Sequence, residues 1–443
     1  MRIFNRCFSG AMAAAILAGI ALTGAAPKAA AQESKWKDQA EYDLSEAAGK
    51  DITAGNGAKA LDDLNSWKQK YPDSFYKNNR EVMYIQAYQL TKDYDKLLDK
   101  AKELMAQNLD SLYPDPANGP RQVLVILVAP TTAITQIPNP TPDQIATAVQ
   151  AANKLKDYNR KPEGVSDGDW ATVRTNIAAA ANATLYTIAV TPAMQADAKK
   201  DCAAGEVAWA KALGDYPDKS VISYKLGVDL RCEKKNDQAL YEIARAVALD
   251  PTLGGTSNAT AITDFLKKYY TNYHGGADGL DQLEQTAKMS PLPPGDLHIK
   301  TAQEIAEEQQ KQFETSHPDI ALWMKLKATL TSDQGQQYFD SSMKDAQLPE
   351  LKGTVLESKC RVKELQVAIP LPDATGPLVA EITLKLDAPL TGKAESGVVS
   401  FAGVASAFSH DPFMLTMTID KKDIKDLKVT PCAPTAVGKK KKK

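Results

Sequence analysis

Three amphipathic segments end in the same way, and that recurrence constrains the fold more than any other feature of the chain. NSWKQKYPDS closes at Pro72, AWAKALGDYPDK at Pro217 and RAVALDPT at Pro251. Proline lacks a backbone N–H and clashes with the carbonyl one turn back, so a helix cannot run on through such a point. From about Glu33 to Lys288 apolar residues recur at helical spacing between Pro, Gly and Asp punctuation. Short helices with abrupt ends bury their apolar stripes by stacking in pairs. The runs Val123–Ala129 and Ile177–Val190 are too short to span a bilayer and are expected as buried helix segments.

The stretch YKLGVDLRCEKKNDQALYEIARAVALDP, Tyr224 to Pro251, predicts two amphipathic helices, a turn and a stop. It resembles a tetratricopeptide repeat (TPR), a helical hairpin of about 34 residues with small residues where its helices cross. Leu226 and Gly227 fall in the first helix, Ala239 and Ala246 in the second, and Pro251 closes the unit at the family spacing. Leu230 and Ile243 stand where the family has aromatics. Without bulk at Gly227 and Ala239 the two axes can approach closely. LTKDYDKLLDKAKELMAQ, Leu90 to Gln107, resembles the turn and second helix of another unit, with Tyr88 before it and Ile85 and Leu97 at the crossing. The segment with Ala60, Leu64, Trp67 and Pro72 matches in its second half, and no signature falls between Ala117 and Thr191.

The resemblance covers roughly the first half of the chain and implies a helical solenoid with a long concave face lined by the first helix of each unit. Carried over by position, that face includes Tyr224, Val228 and Arg231 in the clearest unit and Asn79, Val82, Gln86 and Gln89 in the weaker one. An arginine among amides suits a peptide carboxylate or backbone groups. The resemblance therefore implies a non-catalytic scaffold with a protein or peptide partner.

After Met289 the composition changes. SPLPPGD breaks the train, and KTAQEIAEEQQKQFETS is a charged helix opened by Thr301. From Gly353 the apolar period becomes two: ELQVAIPL places Leu365, Val367, Ile369 and Leu371 on one face, AEITLKLD places Ile382, Leu384 and Leu386, and FMLTMTID places Phe413, Leu415, Met417 and Ile419. With GTVLESKC and GVVSFAGV this predicts about five strands, a small all-β barrel or sandwich. Their number and length resemble an oligonucleotide/oligosaccharide-binding barrel. The expected architecture is mostly α: a signal peptide over 1–31, TPR-like repeats over 32–290, a helical connector over 291–350, a β-domain over 351–432 and a lysine-rich tail over 433–443. A second function class, envelope-polymer or carbohydrate binding through the β-domain, would need exposed rings, and the domain offers Phe401, Phe408 and Phe413.

MRIFNRCFSGAMAAAILAGIALTGAAPKAAAQ has arginines ahead of a small-residue apolar run ending in Ala29–Ala31, the layout of a secretory signal cleaved after Ala31. The expected location is the periplasm or the medium. The whole chain carries 53 Lys+Arg against 55 Asp+Glu. Losing Arg2, Arg6 and Lys28 leaves the mature chain at about −5, which argues against a nucleic-acid partner. Export leaves Cys202, Cys232, Cys360 and Cys432, which allow three disulfide pairings. Antiparallel helices joined at Tyr216–Pro217 would bring Cys202 and Cys232 to one height, and Cys360 with Cys432 would then close the β-domain. No CxxC occurs and His274, His298, His317 and His410 are scattered, so no metal or other cofactor is expected. Nor is catalysis: GxSxG, HExxH and phosphate-loop signatures are absent, and Glu307–Glu308 and His410–Asp411 lack partners at useful spacing. The run Lys439–Lys443 suits electrostatic contact with an anionic surface.

Overall fold

The computed structural model describes residues 35–372 and 374–433, so the expected signal segment and the terminal lysine run lie outside the described residues. The chain is mostly helical with a sheet domain at its C-terminal end. It divides into one unit of the residues up to Asn272 with Ala277–Ile299, and another of Tyr273–Gly276 with Lys300 onward.

In the first unit the helices run α1 (Gln39–Thr53), α2 (Gly57–Lys70), α3 (Lys77–Thr91), α4 (Tyr94–Met105), the single turn α5 (Leu109–Leu112), α6 (Gly119–Ala133) and α7 (Pro142–Asp157). They continue with α8 (Asp167–Lys199), α9 (Cys202–Asp215), α10 (Ser220–Cys232), α11 (Asn236–Leu249), α12 (Ala259–His274) and α13 (Leu280–Met289). Their starts follow from local chemistry. Asp38, Asp93, Ser166 and Asp201 each accept a hydrogen bond from the backbone N–H three residues on, and Thr141 with Gln144 forms a reciprocal cap on α7.

Four hairpins share one frame. The turns α1/α2, α3/α4, α8/α9 and α10/α11 each contain a left-handed residue, Gly55, Lys92, Lys200 and Lys234. Seven residues before each lies Ala48, Ile85, Ala193 or Gly227, and five after lies Ala60, Leu97, Gly205 or Ala239. All eight are buried where the paired helices cross. Seventeen residues after Gly55, Lys200 and Lys234 come Pro72, Pro217 and Pro251, so the three proline endings occupy one position. The last two hairpins follow one another at a 34-residue step, Lys200 to Lys234.

Between the second and third hairpins the chain inserts α6 and α7. Val123–Ala129 is buried in α6 as expected, in a core with Ile85, Leu97, Ala148 and Leu155. Ile177–Val190 departs from expectation. It belongs to α8, a 33-residue helix that is long and apolar enough to cross a membrane by length and composition, with 28% of its most apolar window buried. Ile177 and Ala181 nevertheless pack into the α6–α7 core, and Val190 and Ala193 into the core of the third hairpin.

In the second unit Thr301 and Glu304 cap α14 (Ala302–Ser316), which is followed by α15 (Pro318–Thr331), the single turn α16 (Gly335–Tyr338) and a π-helical turn, Phe339–Met343. Trp323, Leu330, Phe339, Met343 and Leu348 share a core with the sheet, so much of the stretch expected as a connector belongs to the β-domain. The strands are β1 (Leu351–Val355), β2 (Glu364–Ala368), β3 (Ile382–Leu386), β4 (Gly392–Ala394), β5 (Gly397–Phe401), β6 (Val404–Ser409), β7 (Met414–Ile419), β8 (Ile424–Lys425) and β9 (Val429–Pro431). Seven form a sheet in the order β6-β7-β3-β2-β1-β5-β8, antiparallel except for β3 beside β7, and β4 pairs with β9. Among the described residues nine strands replace the expected five: β4, β8 and β9 are only two or three residues long, too short to show alternation, and β6 is a strand separate from the one expected at GVVSFAGV. The buried residues of β2, β3 and β7 include Leu365, Val367, Ile382, Leu384, Leu386, Leu415, Met417 and Ile419 as expected, whereas Ile369 and Leu371 lie beyond β2, with Leu371 exposed, and Phe413 precedes β7 and is half-buried.

Candidate binding face of the helical hairpins

Both disulfides join the pairs expected from spacing: Cys202 with Cys232, Cα atoms 6.1 Å apart, and Cys360 with Cys432, 6.0 Å apart. Cys202 opens α9 and Cys232 closes α10, so the bond ties the third hairpin to the fourth. Cys360 does not end a strand. β1 stops at Val355, and the backbone near Cys360 bonds to β4, through Ser358 N–H to the Ala394 carbonyl and Arg361 N–H to that of Gly392.

The small residues of the clearest hairpin lie in the interface between α10 and α11. Leu226, Gly227, Ala239 and Ala246 are buried, and a Cβ on Gly227 would stand 2.6 Å from Ile243 Cγ1. The neighbouring positions on α10 face outward. Val228 is 37% exposed, Tyr224 is half-buried and Arg231 is exposed. The Arg231 guanidinium lies over the rings of Phe265 and Tyr269, at 5.3 and 4.9 Å, and Tyr224 meets Phe265 edge-on at 6.3 Å. Tyr269 donates from its hydroxyl to Asn236 Oδ1 at 2.7 Å, and burial pushes that phenol up to about 12, against the pull of Arg231. Arg231 forms no ion pair or side-chain hydrogen bond among the described residues, so its N–H donors are available to a ligand.

In the second hairpin the expected face is only partly open. Asn79 is exposed and Gln86 and Gln89 are half-exposed, but Val82 is 5% exposed, packed in the core with α6 residues. The inserted helix covers it, which a repeat pattern read one unit at a time does not reveal. The third hairpin supplies a residue that sequence reasoning missed. Met194, 34 residues before Val228 in the shared frame, is 45% exposed on α8. Phe265 and Tyr269 on α12 were missed as well, and their signal is the helical spacing of four that sets both rings on one face.

Asp197 occupies the frame position of Arg231 and accepts from Trp209 Nε1 at 3.1 Å and Lys225 Nζ at 3.0 Å. Asp229, on the opposite side of α10 from the open face, is buried. Burial first, and then the charge of Asp197, push its carboxyl up to about 6.

Other candidates carry less chemistry. A cleft of about 790 Å³ is lined by Asp110, Asn153, Asp157, Tyr158 and Arg160, but Arg160 is committed to Asp110 and to the carbonyls of Tyr113, Pro114 and Asp115. Cys202, Cys232 and Glu233 lie within 4.8 Å of one another, yet both sulfurs are spent in the disulfide. In the β-domain Phe401 is fully buried, and Phe408 and Phe413 are half-buried against the core. Comparison with protein-family models and with curated proteins found no match for the chain.

Proposed function

We propose that the chain is an exported helical-repeat scaffold of the tetratricopeptide type, which binds an extended segment of another protein across the first helices of its hairpins. The observation that carries this reading is the shared frame. Two consecutive hairpins in a 34-residue step present Met194 and Val228 at the same exposed position, with Arg231 one turn further along α10. Apolar anchors at a regular interval with a cation beside them suit an extended chain better than a compact ligand. The two disulfides are consistent with an oxidising compartment, and periplasm or medium is the assignment that follows. Binding is the whole of the proposed activity, with no catalytic step. Polymer or carbohydrate binding through the β-domain is the weaker reading, because Phe401, Phe408 and Phe413 present no fully exposed ring for stacking.

The test is a photo-cross-linking amino acid placed in turn at Met194, Val228 and, on the exposed face of α9, Lys211. In native envelopes the first two positions should capture one and the same protein and Lys211 should not. Capture with equal yield from all three, or different products from Met194 and Val228, would refute a continuous binding face.

A further inference from the structure

We propose that Asp229 keeps a proton and donates it in a hydrogen bond to Asp197, and that this proton acts as a pH-operated latch between α8, α9 and α10. Asp229 is 7% exposed, and its Oδ2 has no hydrogen-bond partner among the described residues. A Cβ on Gly205 would stand 2.0 Å from that oxygen, so the α9 backbone closes over the carboxyl and only glycine leaves room for it.

The charges around it do not balance. Three carboxylates face the site: Asp197 from α8, Glu206 from α9 and Asp229 from α10. Two ammonium groups reach them, Lys225 to Asp197 at 3.0 Å and Lys235, ahead of α11, to Glu206 at 2.6 Å. Arg231 is turned to its two rings, and Asp201 is exposed at the cap of α9. Lys225 acts on Asp229 only at a distance, so Asp229 is the carboxyl without a cation in contact, and a proton held on it is the remaining way to neutralise a buried carboxyl beside the half-buried Asp197. Below the transition the acid O–H donates to its neighbour and joins the helices. Above it, the buried Asp229 carboxylate and the half-buried Asp197 carboxylate repel. Cys202–Cys232 lies one turn further along α9 and α10, so repulsion between α8 and α10 loosens their packing on α9 without separating α9 from α10.

The sign follows from linkage. A carboxyl raised from 3.8 to about 6 binds its proton more tightly in the folded state, so its contribution is complete at low pH and is lost as pH rises through about 6. That interval corresponds to about 160-fold in the local opening constant between the pH extremes, of which about 10-fold falls between about pH 5 and about pH 8. Hydrogen exchange on the disulfide-intact full chain, corrected for intrinsic rates, should show α9 and α10 amides opening about 10-fold more readily at about pH 8 than at about pH 5. Asp229→Asn, neutral and able to donate to Asp197, should hold the slow rate at both values. Protection that does not change with pH in the unmodified protein overturns the latch whether or not the variant folds. So does an Asp229→Asn protein that keeps the full pH dependence.

Discussion

Gly227 sits against the backbone of Ala239: a β-carbon added to the glycine would lie 3.0 Å from the Ala239 carbonyl oxygen as well as 2.6 Å from the Ile243 side chain. The close crossing of α10 and α11 leaves no flexible group to move aside. Gly227→Leu should therefore cost about 1 to 3 kcal/mol through overpacking. Gln238→Leu, on the exposed side of α11, should change stability by less than about 0.5 kcal/mol. Equal losses for the two in denaturant melts would mean that the crossing is not as described.

The disulfides close loops of 30 and 72 residues. Peptide mapping without reductant should recover Cys202–Cys232 and Cys360–Cys432 and no free thiol from residues 202 onward. The loop-closure treatment gives up to about 3.6 and about 4.4 kcal/mol for the two bonds. Reduction should lower the melting temperature yet leave the helical signal, since the stacked apolar faces persist. Four alkylatable thiols in native protein would contradict both linkages.

Much of this fold is legible in the sequence, and the illegible parts have physical reasons. The hairpin from Tyr224 to Pro251 shows because its small residues, turn and proline all agree. The third hairpin does not, because Pro192 reads as a break yet stays within α8. Val82 looks like a groove residue until α6 covers it, a contact between segments that no local pattern encodes. Of the candidate face, Tyr224, Val228 and Arg231 were accessible from the repeat spacing, whereas Met194 needed the 34-residue frame and the Phe265–Tyr269 platform needed the neighbouring helix. The Cys202–Cys232 pairing was legible because antiparallel helices impose a register, and it left Cys360 with Cys432. The helices before β1 were misplaced as a connector, since Trp323 reveals its partner only in three dimensions.

That tryptophan offers a test of the second unit. Trp323 is buried against the sheet, donates from Nε1 to Glu381 Oε2 at 2.8 Å and meets Phe413 edge-on at 5.8 Å. Lys327 also pairs with Glu381, so removing the indole leaves a cavity and takes one partner from that carboxylate. Trp323→Ala should cost the β-domain about 3 to 5 kcal/mol. Hydrogen exchange should quicken in β2, β3 and β7 and stay unchanged in α10 and α11. Loss confined to α15, with the strands still protected, would show that the helix is not part of the sheet core.

Glu242 gives the last prediction, on overall stability rather than on the latch. It lies on α11, 2% exposed, and burial pushes its carboxyl up to about 7, against smaller pulls from Ser223 and Arg245. Arg245 does not neutralise it by contact, because its guanidinium donates to the carbonyls of Ala287, Ser290 and Pro217 at 2.7, 2.8 and 2.8 Å. The folded state thus binds this proton more tightly than the unfolded chain, whose value is near 4.5. Its stabilising share is complete below about pH 4.5 and falls away as pH rises through about 7, by up to about 3 kcal/mol. Thermal melts should then show the unmodified protein less stable at about pH 8 than at about pH 5, with Asp229 contributing in the same direction. Glu242→Gln keeps the shape, removes the charge and should reduce that decline, ending more stable than the unmodified protein at the higher pH. A variant whose decline is as steep as that of the unmodified protein would mean that Glu242 is ionised in the fold at neutral pH, held by a cation that the Arg245 geometry does not provide.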